Sequence, residues 1–181
     1  MPGPGAGLHL AWKAHGKLPW KRLVEPAIAL AQGGFPLTEP LASSLARVLP
    51  SMKAYPASLA QFSKNGVPYE SGEMLAQPDL ARTLARIAEA GPAGFYEGET
   101  ARLIEQEMTA NGGLITRADL KAYAPERRTP LRGTYRDHDI ISMPPVSSGG
   151  TALIQMLNVL EGFDLAANGL DSAENTHLTV E

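Results

Sequence analysis

Apolar residues crowd one stretch of the chain more densely than any other. From Thr151 to Glu161 only Gln155 and Asn158 interrupt them. A helix apolar on nearly all sides is a buried one, so a buried helix is expected here. The run before it, Asp139 to Met143, is also largely apolar and reads as a strand. Between them lies a Pro/Ser/Gly corner, Pro144-Pro145-Val146-Ser147-Ser148-Gly149-Gly150. Strand, corner and helix should therefore sit inside a layered fold.

Upstream, the spacing of apolar positions is mostly helical. The first seven residues read as a Gly/Pro chain reversal, followed by a short helix from Gly7 to Gly16. A helical run from Leu18-Pro19-Trp20 ends at Gly33-Gly34; Pro26 should break it and begin a second helix in its first turn. Thr38 is placed to cap a helix whose apolar positions are Leu41, Leu45 and Val48, and Pro50 should stop it. A short helix is expected from Pro56 to about Phe62, then a turn or small hairpin at Asn65-Gly66. Leu80, Leu84, Ile87 and Ala88 share one helical face, capped by Gln77 or Asp79 and closed by Gly91-Pro92. Gly94 to Gly98 reads as a turn. Ala101, Ile104 and Met108 face inward on a helix ending at Asn111-Gly112-Gly113, and Thr116 caps a brief one from Arg117 to Lys121.

After Tyr123 the texture changes. Thr129 to Tyr135 and His138 to Met143 alternate as two strands joined around Arg136-Asp137. Gly162 ends the apolar helix, and Asp171 or Ser172 starts the last one. The fold class is mainly α with a small α+β portion, in two parts: a helical region, residues 1–125, and a hairpin plus buried helix, residues 126–181.

Composition narrows the chemistry. The chain has 181 residues, 44% of them hydrophobic, with a net charge of −3. Acids and bases are interspersed without a basic stripe, which argues against a nucleic-acid partner. There is no cysteine, so disulfides, thiolate nucleophiles and thiolate metal sites are excluded within the chain. No apolar run reaches the roughly 18 residues of a membrane span. The first residues lack the charged region and apolar core of a secretory signal.

Ser147, Ser148, Gly149 and Gly150 have two readings. As a strand-to-helix corner they could cradle an oxyanion on backbone N–H groups. The simpler reading is a cap and a tight turn. No Lys follows the glycines as in a phosphate-binding loop, and no G-x-S-x-G elbow is present. Thr151 would be a nucleophile only if cleavage after Gly150 freed its amine; the first turn of the helix is the reading taken. His9, His15, His138 and His177 are scattered. His177 with Glu181, and His138 between Asp137 and Asp139, lack a third metal ligand nearby. Glu105 and Glu107 read as a solvated helix face, Arg127-Arg128 as a nonspecific basic pair, and Trp12 and Trp20 as core anchors. No cofactor is called for.

Short motifs then run in a recognisable order. They are Pro2-Gly3 with Gly7, Gly16-x-Leu18-Pro19-Trp20, Glu25-Pro26-Ala27-Ile28-x-Leu30-Ala31 and Gly34-Phe35, followed by Gly94-Phe95-Tyr96-x-Gly98. Next come Gly112-Gly113-Leu114-Ile115-Thr116-x-x-Asp119-Leu120-x-x-Tyr123, Pro130-Leu131-x-Gly133-x-Tyr135 and Met143-Pro144-Pro145-Val146-Ser147-Ser148-Gly149-Gly150. Each is weak alone; the ordered set resembles the γ-glutamyltransferase (glutathione hydrolase) family. Val146 stands where the family usually has a third Pro, and Met1 where a small apolar residue is usual.

The resemblance implies part of an N-terminal-nucleophile hydrolase, an αββα sandwich whose precursor cuts itself into a large and a small subunit. The small subunit's new N-terminal Thr then attacks a γ-glutamyl amide such as glutathione. Water or an amino acid takes the acyl group. By this resemblance the chain is the later part of a large subunit, without either end. The nucleophilic Thr would lie beyond Glu181 and the carboxylate-binding Arg before Met1. No catalytic, metal or firm substrate-binding residue is assigned, and Ser147 to Gly150 are at most bordering residues. The implied partners are the small subunit and a small γ-glutamyl substrate. The chain alone should be inactive and prone to self-association. Export to the periplasm or cell exterior is common in the family. A related amidase or acylase of the same fold, and a stand-alone helical interaction module, are the alternatives.

Overall fold

The computed structural model describes residues 3–169 and 171–181. They divide into two compact units, Met1–Pro125 and Glu126–Glu181.

The first unit is helical. Helix α1 spans Pro4–His15. It begins inside the expected chain reversal, ahead of the expected start at Gly7, because Pro4 is pre-set for a first helical turn and Gly5 and Gly7 continue it. Helix α2, Trp20–Gly33, runs unbroken through Pro26, correcting the expected break. Strand β1, Phe35–Pro36, leads to α3, Glu39–Met52, which continues past Pro50 rather than stopping there. In both helices packing outweighs one missing N–H: α2 lies along α5, and Leu49 beside Pro50 is buried. Thr38 stands at the N-cap of α3 but its side chain makes no capping bond.

Helix α4, Pro56–Phe62, is followed by a tight reversal in which Lys64 and Val67 exchange backbone hydrogen bonds of 2.8 and 3.1 Å. Asn65 and Gly66 take positive φ to make it. Strand β2, Met74–Leu75, pairs antiparallel with β1, Phe35 opposite Leu75. This pairing carries no periodic signal. It closes one small core of Leu37, Ala42 and Leu75, packed by Phe35, Leu45, Phe62 and Tyr69.

Helices α5 (Pro78–Ala90), α6 (Ala93–Tyr96), α7 (Gly98–Ala110) and α8 (Arg117–Ala122) complete the unit. The expected turn at residues 94–98 is in part a helical turn pressed against α5. A Cβ on Gly94 would stand 2.2 Å from the carbonyl oxygen of Arg86. A second core gathers Ala6, Tyr96, Ala101 and Leu120, with Tyr123 stacked on Tyr96 at 5.3 Å.

In the second unit β3 (Leu131–Tyr135) and β4 (His138–Ser142) form an antiparallel hairpin, Gly133 opposite Ile140. Arg136 and Asp137, both at positive φ, make the turn. Helix α9, Gly149–Leu160, packs on the hairpin, and α10, Ala173–Val180, is capped by Ser172. Gly133 permits the contact, since a Cβ there would meet Ile154 at 2.8 Å.

The expected burial of α9 is corrected. Gly150 is its only buried residue, and Ile154, Leu157 and Leu160 are half-buried. Leu153, Met156 and Val159 remain 40, 56 and 61% exposed. The hairpin is one layer and covers one stripe of the helix; a helix apolar all round needs a second.

Candidate functional site

The corner between β4 and α9 is built by close backbone approach. From Ser142 the chain passes Met143 and two prolines, and returns so that Gly150 lies under the backbone of Met143. Pro144 and Pro145 stiffen this passage by fixing φ. Ser147 donates its backbone N–H to the carbonyl of Pro144 at 3.3 Å, and Ala152 to that of Ser148 at 2.9 Å. Arg128 holds the corner from the side. Its Nη1 donates to the carbonyl oxygen of Pro145 at 2.9 Å, and its Nη2 pairs with Glu126 at 3.0 Å.

The four bordering residues are therefore contiguous on one corner, with unlike environments. Ser147, Ser148 and Gly149 are exposed and Gly150 is buried. Ser148 occupies the N-cap in a helical conformation and its hydroxyl makes no capping bond. The first N–H groups of α9 are aimed out of the helix end, as in any helix N-terminus. Thr151 is exposed in the first turn, where the residue spacing placed it. Beside the corner an open groove of about 600 Å³ is lined by Glu126, Arg128, Pro130, Ile141, Met143 and Pro144.

The other polar candidates go separate ways. Glu105 accepts from the backbone N–H of Arg117 at 2.9 Å and from its Nε at 2.6 Å. These contacts, the backbone bond foremost, hold its carboxyl below the usual range. Glu107 instead accepts from Asn111 at 2.8 Å, so the two acids do not form a pair. His138 places Nδ1 2.8 Å from the carbonyl oxygen of Arg136. Glu181 donates its backbone N–H to the carbonyl of His177, continuing α10. Among the described residues no three His, Cys, Asp or Glu side chains gather as a metal site, and no helix is long and apolar enough to cross a membrane.

The sequence reading missed a groove in the first unit. Trp12 and Trp20, expected as core anchors, are half-buried and line it. Their rings lie 5.6 Å apart, and each has its indole N–H engaged: Trp12 on the carbonyl of Leu18 at 2.8 Å, Trp20 on that of Ile87 at 2.9 Å.

A sequence profile described as gamma-glutamyltranspeptidase matches residues 1–181. The glutathione hydrolase proenzyme of Escherichia coli (strain K12) is 44% identical over 184 residues, covering 99% of this chain and 31% of the relative. The acylase ACY 1 proenzyme of Pseudomonas sp. (strain V22) is 40% identical over 181 residues, covering 100% of this chain and 32% of the relative. The crystal structure of Helicobacter pylori gamma-glutamyltranspeptidase superposes with a TM-score of 0.95 at 41% identity, over 99% of this chain and 52% of that one. The chain thus spans about a third of the length of these curated relatives, 31% and 32%.

Proposed function

Because this chain belongs to the gamma-glutamyltranspeptidase family, we propose that it is a large-subunit portion of a proenzyme that cleaves γ-glutamyl amides such as glutathione. The γ-glutamyl group passes to water or to an amino acid. The observation that carries this reading is the family match along all of residues 1–181, joined to 44% identity with a glutathione hydrolase proenzyme.

On this reading catalysis depends on a small subunit released from the same precursor. Its N-terminal Thr attacks the amide carbonyl, and its own amine takes the proton. Backbone donors hold the developing oxyanion, and the amine departs to leave an acyl-enzyme. The 181 residues supply scaffold: the hairpin and α9 become one side of an αββα sandwich, and the corner from Ser147 to Gly150 borders the site without acting on the amide. Export to the periplasm or cell exterior belongs to the same proposal.

A related acylase is the second reading, favoured by the 40% identity to an acylase ACY 1 proenzyme over the whole chain. The two differ in the acyl group. The test is p-nitroaniline release by the full-length proenzyme from γ-glutamyl-p-nitroanilide and from an acyl analogue lacking the α-amino group. Preference for the γ-glutamyl substrate is expected; preference for the analogue selects the acylase reading. The isolated 181 residues are expected to release none, and turnover by them would overturn the assignment as scaffold.

A further inference from the structure

The dipeptide Asn-Gly occurs three times in the chain, at Asn65-Gly66, Asn111-Gly112 and Asn168-Gly169. In each, a side-chain carboxamide precedes a backbone nitrogen that no Cβ shields, so the main chain can close on that side chain as a five-membered ring. Closure asks two things of the fold. The carboxamide must be free to turn onto the main chain, and the glycine N–H must be released from any acceptor.

The structure distinguishes the three. Asn111 follows α7, and its Nδ2 donates twice to Glu107, to the carbonyl oxygen at 3.0 Å and to Oε1 at 2.8 Å. Asn168 is half-buried; its Nδ2 donates to Oδ1 of Asn175 at 3.2 Å, and the N–H of Gly169 is held by the carbonyl of Ala166 at 3.3 Å. Asn175 is itself fixed, donating to the carbonyls of Leu165 at 2.8 Å and Gly169 at 2.7 Å. Asn65 is exposed, and its carboxamide makes no hydrogen bond among the described residues. A single bond stands in the way there. Gly66 donates its N–H to Oγ of Ser63 at 2.8 Å, and the buried Ser63 hydroxyl is anchored by donating to the carbonyl of Leu59 at 2.6 Å.

We propose that Asn65 is a site of spontaneous modification, converted through a succinimide to aspartate and isoaspartate ahead of Asn111 and Asn168, with Ser63 as the brake on its rate. The Gly66 nitrogen bonds to Cγ of Asn65, the Cγ–Nδ2 bond breaks, and the proton shed by Gly66 leaves through solvent with Nδ2 as ammonia. Water then opens the ring at one of its two carbonyls. Opening to aspartate places a carboxylate beside Lys64, whose ammonium is paired with Glu73. Opening to isoaspartate lengthens the main chain by one methylene, inside a two-residue reversal closed by Lys64–Val67 bonds of 2.8 and 3.1 Å. This site is separate from the reaction assigned above and does not depend on it.

The experiment incubates the folded full-length protein at mildly alkaline pH, with a parallel sample unfolded in urea. Site-resolved mass spectrometry of a chymotryptic digest follows replacement of the carboxamide NH2 by OH at each Asn, and electron-transfer fragmentation separates isoaspartate from aspartate. Asn111 and Asn168 must each break one bond more than Asn65, so Asn65 should react at least about fivefold faster than either in the folded protein. In urea the three rates should come within about twofold of one another, since no fold then holds any of them. Ser63→Ala should speed Asn65 by about another fivefold and leave Asn111 unchanged, with circular dichroism unaltered. Glu107→Ala should speed Asn111 alone. The comparison within the wild-type protein needs no variant to fold. The proposal is overturned if Asn65 reacts no faster than Asn111 or Asn168 in the folded protein, or if its lead persists in urea. An unaltered Asn65 rate in folded Ser63→Ala overturns the role given to Ser63.

Discussion

The carbonyl oxygen of Met143 stands 2.0 Å from the position that a Cβ on Gly150 would occupy. Strand β4 and helix α9 are thus joined at a point that excludes every side chain. The clash is with backbone, so no rotamer relieves it. Gly150→Ala should destabilise the second unit by about 2 kcal/mol or more, as overpacking against backbone does. Gly149, one residue earlier, has only the Ser147 hydroxyl nearby, at 3.6 Å. Gly149→Ala should therefore be neutral, or stabilise by roughly 0.5–1 kcal/mol through the lost chain entropy of glycine. Urea titration of the two variants, followed by far-ultraviolet circular dichroism, checks the contrast. Equal effects would remove the corner's claim to a steric origin.

Pro26 gives a prediction of the opposite sign. It is exposed inside α2 and has no N–H to offer the carbonyl four residues back, that of Arg22. Pro26→Ala restores that bond. The gain, up to about 3 kcal/mol on helix propensity, is offset in part by greater freedom of the unfolded chain. A net rise in Tm is expected. A fall would mean that the backbone geometry Pro26 imposes is required for α2 to pack along α5.

The same residue shows where local rules stopped being informative. Pro26 and Pro50 are breakers by local chemistry, and both were overridden by burial of the helices that hold them. The cap at Thr116, by contrast, is a purely local interaction and was legible from the sequence. So was the hairpin, whose two alternating runs meet at Arg136-Asp137. Strands β1 and β2 were not legible, because two residues carry no period and their pairing joins positions 35 and 75. At the corner, the sequence of strand, turn and helix could be read, but the exposure of α9 could not. An apolar surface states that a partner layer is needed and not where it lies. The tryptophan groove was invisible for another reason: it exists only between four helices, and aromatic residues in isolation read as core.

The cap on α8 also predicts a pH dependence. Thr116 donates its hydroxyl at 2.6 Å and its backbone N–H at 2.9 Å to the Asp119 carboxylate, and Asp119 returns its own N–H to the hydroxyl at 3.2 Å. The hydroxyl bond foremost, then the backbone bond, hold the Asp119 carboxyl below its usual value. A carboxyl depressed on folding contributes stability that is fully present above its unfolded pKa, near 4, and is lost as pH falls through the lower folded value. Glu73 and Glu99 are lowered in the same direction by bonds from Lys64 and Arg102. Urea midpoints should therefore fall below about pH 4. Asp119→Asn should remove part of that slope in 1 M salt, where the exposed ion pairs are screened and the short cap bonds persist. Thr116→Ala should cost about 1 kcal/mol at neutral pH. An unchanged slope in Asp119→Asn would show that the cap is not populated in solution.

The uncovered side of the second unit leads to the last prediction. Leu153, Met156 and Val159 lie three residues apart on α9 and are 40, 56 and 61% exposed. Ile141 and Met143, on and just after β4, are 59 and 64% exposed. The hairpin also leaves both outer strand edges without a neighbour among the described residues. Contiguous apolar surface and open edges favour association. The 181-residue chain should accordingly bind 8-anilinonaphthalene-1-sulfonate and sediment with an average mass that rises with concentration. Met156→Lys and Val159→Lys together place two charges on the exposed side and leave the half-buried Ile154 and Leu157 unchanged. They should return the chain to a monomer and lower dye binding with little change in circular dichroism. If the wild-type chain is instead a concentration-independent monomer that unfolds cooperatively and binds no dye, the exposed face of α9 does not drive assembly. If the double variant unfolds, Met156→Gln with Val159→Thr, which removes apolar surface without adding charge, separates loss of association from loss of fold.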